Sequence, residues 1–239
     1  MALLKACLNG ARSRDEHPAV PHTPEELARE GRDAVDAGAR VLHLHAYDDS
    51  GGETFAAEPS AAALRAVREA CPGIPLSLST SAEIESDPAR RLELIGGWTE
   101  LPELVTANQG EPGITELCEH LIERGVGIEA GLLELSDAKA FVASGLADRC
   151  VRVLLEPLDA DPHVAVQHAA VMETVLAEAG IGLEQVHHGD GVATWSVMER
   201  AVPRGHGIRV GLEDTTVLPD GRRPAGNGEL VRVAAAMLD

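Results

Sequence analysis

Eight times along this chain a short apolar run leads through a polar loop into an alanine-rich amphipathic segment that stops at or near glycine, the pattern of strand, loop and helix. The runs are Leu3–Asn9, Arg40–Tyr47, Ile74–Thr80, Leu104–Asn108, Gly127–Leu132, Val151–Pro157, Gln185–Asp190 and Ile208–Asp214. Connections of this kind call for parallel strands joined by right-handed crossovers, and eight of them close into a barrel. The length of 239 residues matches one such barrel, which takes about 250 residues. The expected architecture is a single-domain (β/α)8 TIM barrel of the α/β class over residues 1–239. An open doubly wound sheet would carry a glycine-rich fingerprint after its first strand, which Asn9-Gly10-Ala11-Arg12 does not supply.

Helix ends are marked along the way. In Thr23-Pro24-Glu25-Glu26, Thr23 caps, Pro24 fits the first turn and Glu26 completes a capping box. Asp87-Pro88 and Asp161-Pro162 read as two more helix starts, and Gly38, Gly125, Gly145 and Gly180 as stops. Asn227-Gly228-Glu229 opens a last helix running to the C-terminus.

Hydrophobic residues make up 44% of the chain but aromatics only 2%, so packing rests on Ala, Val, Leu and Ile, the usual filling of barrel interiors. The formal charge of −19, from 39 acidic and 20 basic residues, repels nucleic acid and anionic membranes, and neither is an expected partner. Lys5 and Lys139 are the only lysines, so bound anions are expected to meet arginine forks. Cys7, Cys71, Cys118 and Cys150 are scattered without Cys-X-X-Cys spacing or a secretory leader, which fits reduced thiols in a cytoplasm. No apolar run approaches the ~20 residues needed to span a bilayer.

Barrel active sites lie at the C-terminal ends of the strands, and the polar residues of the runs gather there. His43 and His45 end strand 2, Ser79 and Thr80 strand 3, Thr106 and Asn108 strand 4; Glu129 lies in strand 5, His187 to Asp190 end strand 7, and Glu213-Asp214 end strand 8. Two histidines two apart on a strand share one face and can grip one metal ion, although an isolated pair also fits a hydrogen-bonded core. Inward residues of strand 8 and strand 2 can meet across strand 1, so Glu213 can join His43 and His45. Two imidazoles and a carboxylate leave coordination positions open, as in a catalytic zinc site, with iron chemically possible. Arg209 faces as Glu213 does, with Gly211 expected to leave it room; buried, it needs partners, for which Asp214 and Glu129 are the candidates. Ser79, Thr80 and Thr106 can donate to a substrate carboxylate or oxyanion, or can cap the helices that follow. His187 and His188 are substrate or loop residues.

These positions resemble a known family. Asn9-Gly10-Ala11, Pro18-Ala19-Val20-Pro21 with Thr23 and Glu25-Glu26, Ala37-Gly38-Ala39 before His43-Leu44-His45, Arg209-Val210-Gly211-Leu212-Glu213-Asp214, and Asn227-Gly228-Glu229-Leu230-Val231 are similar, in order and spacing, to the β-keto acid cleavage enzymes. The resemblance implies a (β/α)8 barrel, zinc (Zn2+) held by His43, His45 and Glu213, and condensation of a β-keto acid with acetyl-CoA to give acetoacetate and a new acyl-CoA. It implies that Asp214 works with Arg209 in deprotonating the substrate, and that Glu129, Ser79, Thr80, Thr106 and Asn108 line the site. A homo-oligomer is part of the same expectation.

Three departures from the family pattern stand out. Its Ser-Thr-Gly-Gly turn appears as Ser79-Thr80-Ser81-Ala82, removing glycines that allow close backbone approach to a ligand. The chain is shorter around Asn108-Gln109-Gly110-Glu111-Pro112, where acyl-CoA and subunit contacts are in question. Arg12 stands where a member acting on an amino-bearing keto acid has a glutamate, and a bidentate Arg12 contact to an anionic substrate is the corresponding expectation. Two other readings compete. One is a metal-dependent amidohydrolase, in which the histidine pair belongs on the first strand and further ligands come from the middle strands; the other is a metal-binding barrel that has lost turnover.

Overall fold

A computed structural model, describing residues 2–238, shows eight parallel strands closed into a barrel in chain order. They are β1 (Leu4–Cys7), β2 (Val41–Leu44), β3 (Leu76–Ser79), β4 (Leu104–Asn108), β5 (Gly127–Leu132), β6 (Arg152–Leu155), β7 (Glu184–His187) and β8 (Gly207–Val210). The main helices α1 (Pro24–Asp36), α2 (Ala57–Ala70), α3 (Pro88–Gly96), α4 (Ile114–Glu123), α5 (Leu135–Ser144), α6 (Pro162–Glu178), α7 (Ala193–Ala201) and α8 (Asn227–Ala235) follow the strands in alternation. This is the expected (β/α)8 barrel. No described helix is long and apolar enough to cross a membrane.

The local signals act as read. Thr23 and Glu26 form the capping box of α1, and Asp87 and Asp161 cap α3 and α6 through their carboxylates. Gly145 ends α5 in the left-handed conformation. β4 and β5 coincide with their apolar runs, and the other six strands are shorter, because their ladders end before the periodicity does. His45 lies one residue beyond β2, yet its backbone is still paired: its N–H donates to Asn9 Oδ1 and its carbonyl accepts from Asn9 Nδ2, both at 2.9 Å. A side-chain amide thus continues the β1–β2 ladder by one step.

The barrel interior departs from the expected aliphatic filling. Leu42, Leu44, Leu76, Leu78, Ile128 and Val153 are buried in the apolar cluster. Alternation turns their strand neighbours to the axis, and several of these are polar. Lys5 of β1 reaches across to Glu129 of β5 (2.6 Å) and donates to Thr106 of β4 (3.1 Å), with both charged groups fully buried. Ser77 and Arg152 complete the shell around Glu129, at 2.6 and 2.9 Å. Burial alone would raise the Glu129 carboxyl, but Lys5 and Arg152 outweigh it and hold it below the usual range.

The β1–β8 seam is the tightest point. A Cβ on Gly211 would lie 1.8 Å from the Cys7 carbonyl oxygen, so the space expected for Arg209 belongs to the backbone of β1. Asn227 ties the seam from α8, donating to the Leu8 carbonyl (3.0 Å) and accepting from the Leu212 N–H (2.9 Å). Gly211→Ala is expected to destabilise the protein by about 3 kcal/mol through this overlap, whereas Gly182→Ala, with open space around it, leaves Tm nearly unchanged; chemical denaturation of both variants checks it.

Outside the barrel, Glu173 of α6 accepts from Arg200 (2.6 Å) and Arg204 (3.0 Å) and pairs with His206 (3.1 Å). Burial raises this carboxyl, but the hydrogen bonds from Arg204, Arg200 and His206 prevail and take it down to about 2. A carboxyl lowered by folding stabilises fully above its unfolded value and loses that effect as pH falls through its folded value. Glu173→Gln is therefore expected to cost about 2 kcal/mol at neutral pH, with the deficit shrinking as the solution approaches pH 2. Thermal unfolding of both proteins across that range gives the comparison.

Candidate active site

The end of β2 and the turn after β8 bring His43, His45 and Glu213 together. His43 Nε2 lies 3.7 Å from Glu213 Oε2, and His45 Nε2 lies 3.8 Å from Glu213 Oε1. One ligand atom from each falls within 4.8 Å of the others, a spread that closes onto a divalent ion with bonds of about 2.1 Å. The other ring nitrogens are engaged elsewhere. His43 Nδ1 meets Ser77 Oγ at 3.2 Å, and His45 Nδ1 makes a short contact with Glu53 Oε1. A partner behind a histidine fixes its tautomer, and a carboxylate such as Glu53 also makes it a stronger ligand; both Nε2 atoms are turned toward Glu213. Glu213 Oε2 is buried with no hydrogen-bond partner, which fits an oxygen meant for an ion. Gly10 makes this position possible, since a Cβ there would lie 2.4 Å from Glu213 Cγ.

Charges around the group are graded. Burial and the Lys5 ammonium hold His43 well below its usual value. Burial also opposes charge on His45, but Glu213 and Glu53 reverse the balance and raise it. For Glu213, the lift from burial is overcome by Arg209 and His45, and the carboxyl is lowered.

Arg209 is the neighbouring hub. Its Nε and Nη2 donate to Asp214 Oδ1 at 3.1 and 2.8 Å, its Nη1 to Glu156 Oε2 at 2.7 Å, and its Nη2 to Glu213 Oε1 at 2.5 Å. Asp214 was an expected partner and is one. Glu129 is not: it serves Lys5 and Arg152 instead, and the second partner is Glu156, just past β6. Asp214 Oδ2 is buried without a partner. Burial raises the Asp214 carboxyl and outweighs the Arg209 and His188 charges, so the arginine does not weaken it as a base in the way its proximity alone implies.

A cavity of about 380 Å³ opens above these residues, lined by His43, His45, Glu213, Asp214, Arg209 and Glu156 among others. This is within the ordinary size for a small-molecule site. Ser79, Thr106, Asn108 and Arg12 also reach it. Thr80 does not line it, its hydroxyl being donated to the Thr106 carbonyl at 2.9 Å, and Glu129 lies sealed in the interior. His188 lines the cavity, whereas His187 does not and instead stacks on His206. Arg12 is already committed, donating to the Glu213 carbonyl (3.1 Å), Glu16 (3.0 Å) and Asp190 (3.3 Å). An anionic substrate would have to displace one of these carboxylates to reach the Arg12 guanidinium.

The turn Ser79-Thr80-Ser81-Ala82 needs no glycine, for no described residue other than glycine has positive φ. The Ala82 N–H donates to Glu111 Oε1 at 3.0 Å. Glu111 also accepts from Asn108 Nδ2 (3.0 Å) and pairs with the buried Arg91, binding the short loop after β4 to the loop after β3. Glu53, Glu156, Ser77 and Lys5 were not singled out as site residues from sequence. Lys5 alone carried a local signal, a charge in the middle of an apolar strand.

Fold and site together define a (β/α)8 barrel with a candidate divalent-metal centre at its C-terminal mouth, the histidine pair at the end of β2 and no cavity histidine from β5 or β6. The profile of the β-keto acid cleavage enzymes matches residues 2–239, and the chain belongs to that family. It is similar to the 3-keto-5-aminohexanoate cleavage enzymes of Fusobacterium nucleatum subsp. nucleatum, with 31% identity, and of Acetoanaerobium sticklandii, with 27%. Each alignment covers 96% of this chain and 88% of the relative. Among solved structures, ObcA in ternary complex with a C4-CoA adduct and oxalate superposes with TM-score 0.74 at 20% identity. The binary complex of ObcA with oxaloacetate superposes at 0.73 and 20%. The chain spans 92% of itself but only 64% and 63% of those ObcA chains, and at this identity the likeness concerns the fold.

Glu53→Gln is expected to weaken divalent-metal binding about 10–100-fold while the protein stays folded, and His43→Ala to abolish it. Competition with a chelating dye, run beside circular dichroism, measures both.

Proposed function

We propose that this protein is a zinc-dependent β-keto acid cleavage enzyme that exchanges acyl groups between a β-keto acid and acetyl-CoA, releasing acetoacetate and a new acyl-CoA. The observation that carries this reading is the pairing of the His43, His45 and Glu213 group with an Arg209-held Asp214 whose second oxygen is free, at one cavity. A bound zinc ion would be held by His43, His45 and Glu213 and would supply Lewis acidity to the carbonyl and carboxylate oxygens of the keto acid.

The remaining work falls to side chains. Arg209 fixes Asp214 by its Oδ1 and leaves Oδ2 to take a proton from the carbon between the two carbonyl groups. That carbon then bonds to the thioester carbonyl carbon of acetyl-CoA, and the CoA thiolate leaves. Return of the thiolate to the original keto carbon breaks the older carbon–carbon bond, forming the new acyl-CoA, while the proton goes back from Asp214 to give acetoacetate. Ser79 Oγ accepts from the Ser81 N–H at 3.2 Å, which leaves its own proton free to donate to a substrate oxygen. Desolvation by the cavity walls strengthens each of these contacts.

The test uses the zinc-loaded chain with acetyl-CoA and a panel of β-keto acids, with acetoacetate and acyl-CoA quantified by mass spectrometry. Equal amounts of the two products are expected. Asp214→Asn is expected to lower kcat about 1000-fold with metal content intact. Metal uptake without thioester exchange on any keto acid, or plain hydrolysis of acetyl-CoA, would overturn the assignment.

A further inference from the structure

His188 lines the cavity yet takes no part in the reaction assigned above. It is buried one residue past β7, and its N–H donates to the Leu155 carbonyl at 3.2 Å, carrying the β6–β7 ladder one step further. Both ring nitrogens face acceptors. Nε2 meets Glu156 Oε2 at 2.7 Å, and Nδ1 meets the Gly189 carbonyl at 2.9 Å, with Asp214 Oδ1 at 3.4 Å. A carbonyl only accepts. Burial would raise the Glu156 carboxyl, but Arg209 and the His188 hydrogen bond take it down to about 2, so at neutral pH it is a carboxylate and only accepts too. The ring therefore donates from both nitrogens.

This ring closes a circuit that Arg209 leaves open. Arg209 holds Asp214 by Oδ1 alone and Glu156 by Oε2 alone, and a carboxylate gripped at one oxygen can still swing about it. His188 reaches the same two oxygens from β7. Donors and acceptors then alternate around a ring of four, Arg209, Glu156, His188 and Asp214, each at most 4% exposed. The two oxygens outside the ring, Glu156 Oε1 and Asp214 Oδ2, are the unpartnered ones. Contacts between opposite charges are strong at such burial, so the ring resists rotation of either carboxylate.

The segment that carries His188 is itself fixed. A Cβ on Gly189 would lie 2.8 Å from the Ala193 carbonyl carbon at the start of α7, and Thr194 Oγ1 donates to the Gly189 carbonyl at 2.7 Å. The Gly191 N–H donates to the Asp214 carbonyl at 2.8 Å, which joins the loop after β7 to the turn that bears the base. We propose that His188 is a positioning residue for Asp214: bridging Glu156 and Asp214 from β7 as Arg209 does from β8, it keeps Asp214 Oδ2 aimed into the cavity. The proposal rests on the reaction assigned above, and His188 acts in it through Asp214 rather than on the substrate.

The experiment compares zinc-loaded His188→Leu and His188→Gln with the unaltered protein and with His187→Phe, whose ring keeps the stack on His206 outside the cavity. Misplacing a reacting group by about 1 Å costs roughly 100-fold in rate. That loss is expected in kcat for His188→Leu, with metal affinity and the KM of both substrates unchanged. His188→Gln keeps a donor toward Glu156 and is expected to lose only about 10-fold, while His187→Phe retains full kcat. Nitrogen-15 NMR is expected to show a proton on each His188 ring nitrogen at neutral pH. Deuterium uptake at the carbon between the two carbonyl groups, followed without acetyl-CoA, reads the base directly. Uptake above the uncatalysed rate that falls in His188→Leu upholds the role even if no thioester exchange occurs, in which case only the exchange reaction falls. Exchange with unchanged kcat in both His188 variants, or a loss carried by a substrate KM, overturns the role and leaves the reaction standing. A singly protonated ring, or equal losses in all three variants alongside lowered Tm, overturns it as well. Neither exchange nor uptake by the unaltered protein overturns both.

Discussion

The organisation of the barrel mouth depends on one buried cation. Arg209 stands on β8 at 4% exposure, where an unpaired guanidinium would cost several kcal/mol. It is satisfied by gathering Asp214, Glu213 and Glu156 from two different strand ends. Each of those contacts has a second consequence. Holding Glu213 by one oxygen leaves the other toward His43, holding Asp214 by Oδ1 leaves Oδ2 free, and holding Glu156 by Oε2 leaves Oε1 at the cavity wall. Three carboxylates thus each present one committed and one available oxygen, so the guanidinium orients the candidate ligand, the candidate base and the cavity wall alike.

Beneath it a second buried cation does similar work on the other side of the axis. Lys5 lies opposite Arg209 in the β1–β8 ladder, yet its chain reaches Glu129 on β5. Ser77 links that pair to His43. The floor of the site is therefore a closed set of hydrogen bonds rather than an aliphatic layer. Glu129 contributes from below, through Lys5 and Ser77, and has no access to the cavity. Support of this kind holds histidine ligands at fixed orientation, and the tight β1–β8 seam at Gly211 holds the turn that bears Glu213.

Much of this was legible locally. The alternation of strand and helix, the capping residues and the shared face of His43 and His45 follow from short-range periodicity, and the Glu213-Asp214 pair follows from its place after an apolar run. What failed to read correctly concerned levels around the barrel. Alternation tells which side chains face inward but not which of them stand at the same height, because that depends on the stagger of every intervening ladder. Arg209 and Glu129 both face inward, but Lys5 lies between them and takes the carboxylate. Glu53 escaped notice because it sits in a loop, where no period marks it, and Glu156, within the sixth run, because nothing local tells that its carboxylate meets Arg209 of β8.

The sequence by itself determined the barrel, the order of its elements, the residues of the candidate metal group and the family likeness, since each is written in local pattern or in ordered motifs. Only the tertiary structure decided how the buried charges pair: Arg209 with Glu156 and Lys5 with Glu129. The physical reason is that a desolvated charge accepts whichever opposite charge the fold brings within reach, and partners as much as 124 positions apart in the chain are brought together only when the barrel closes.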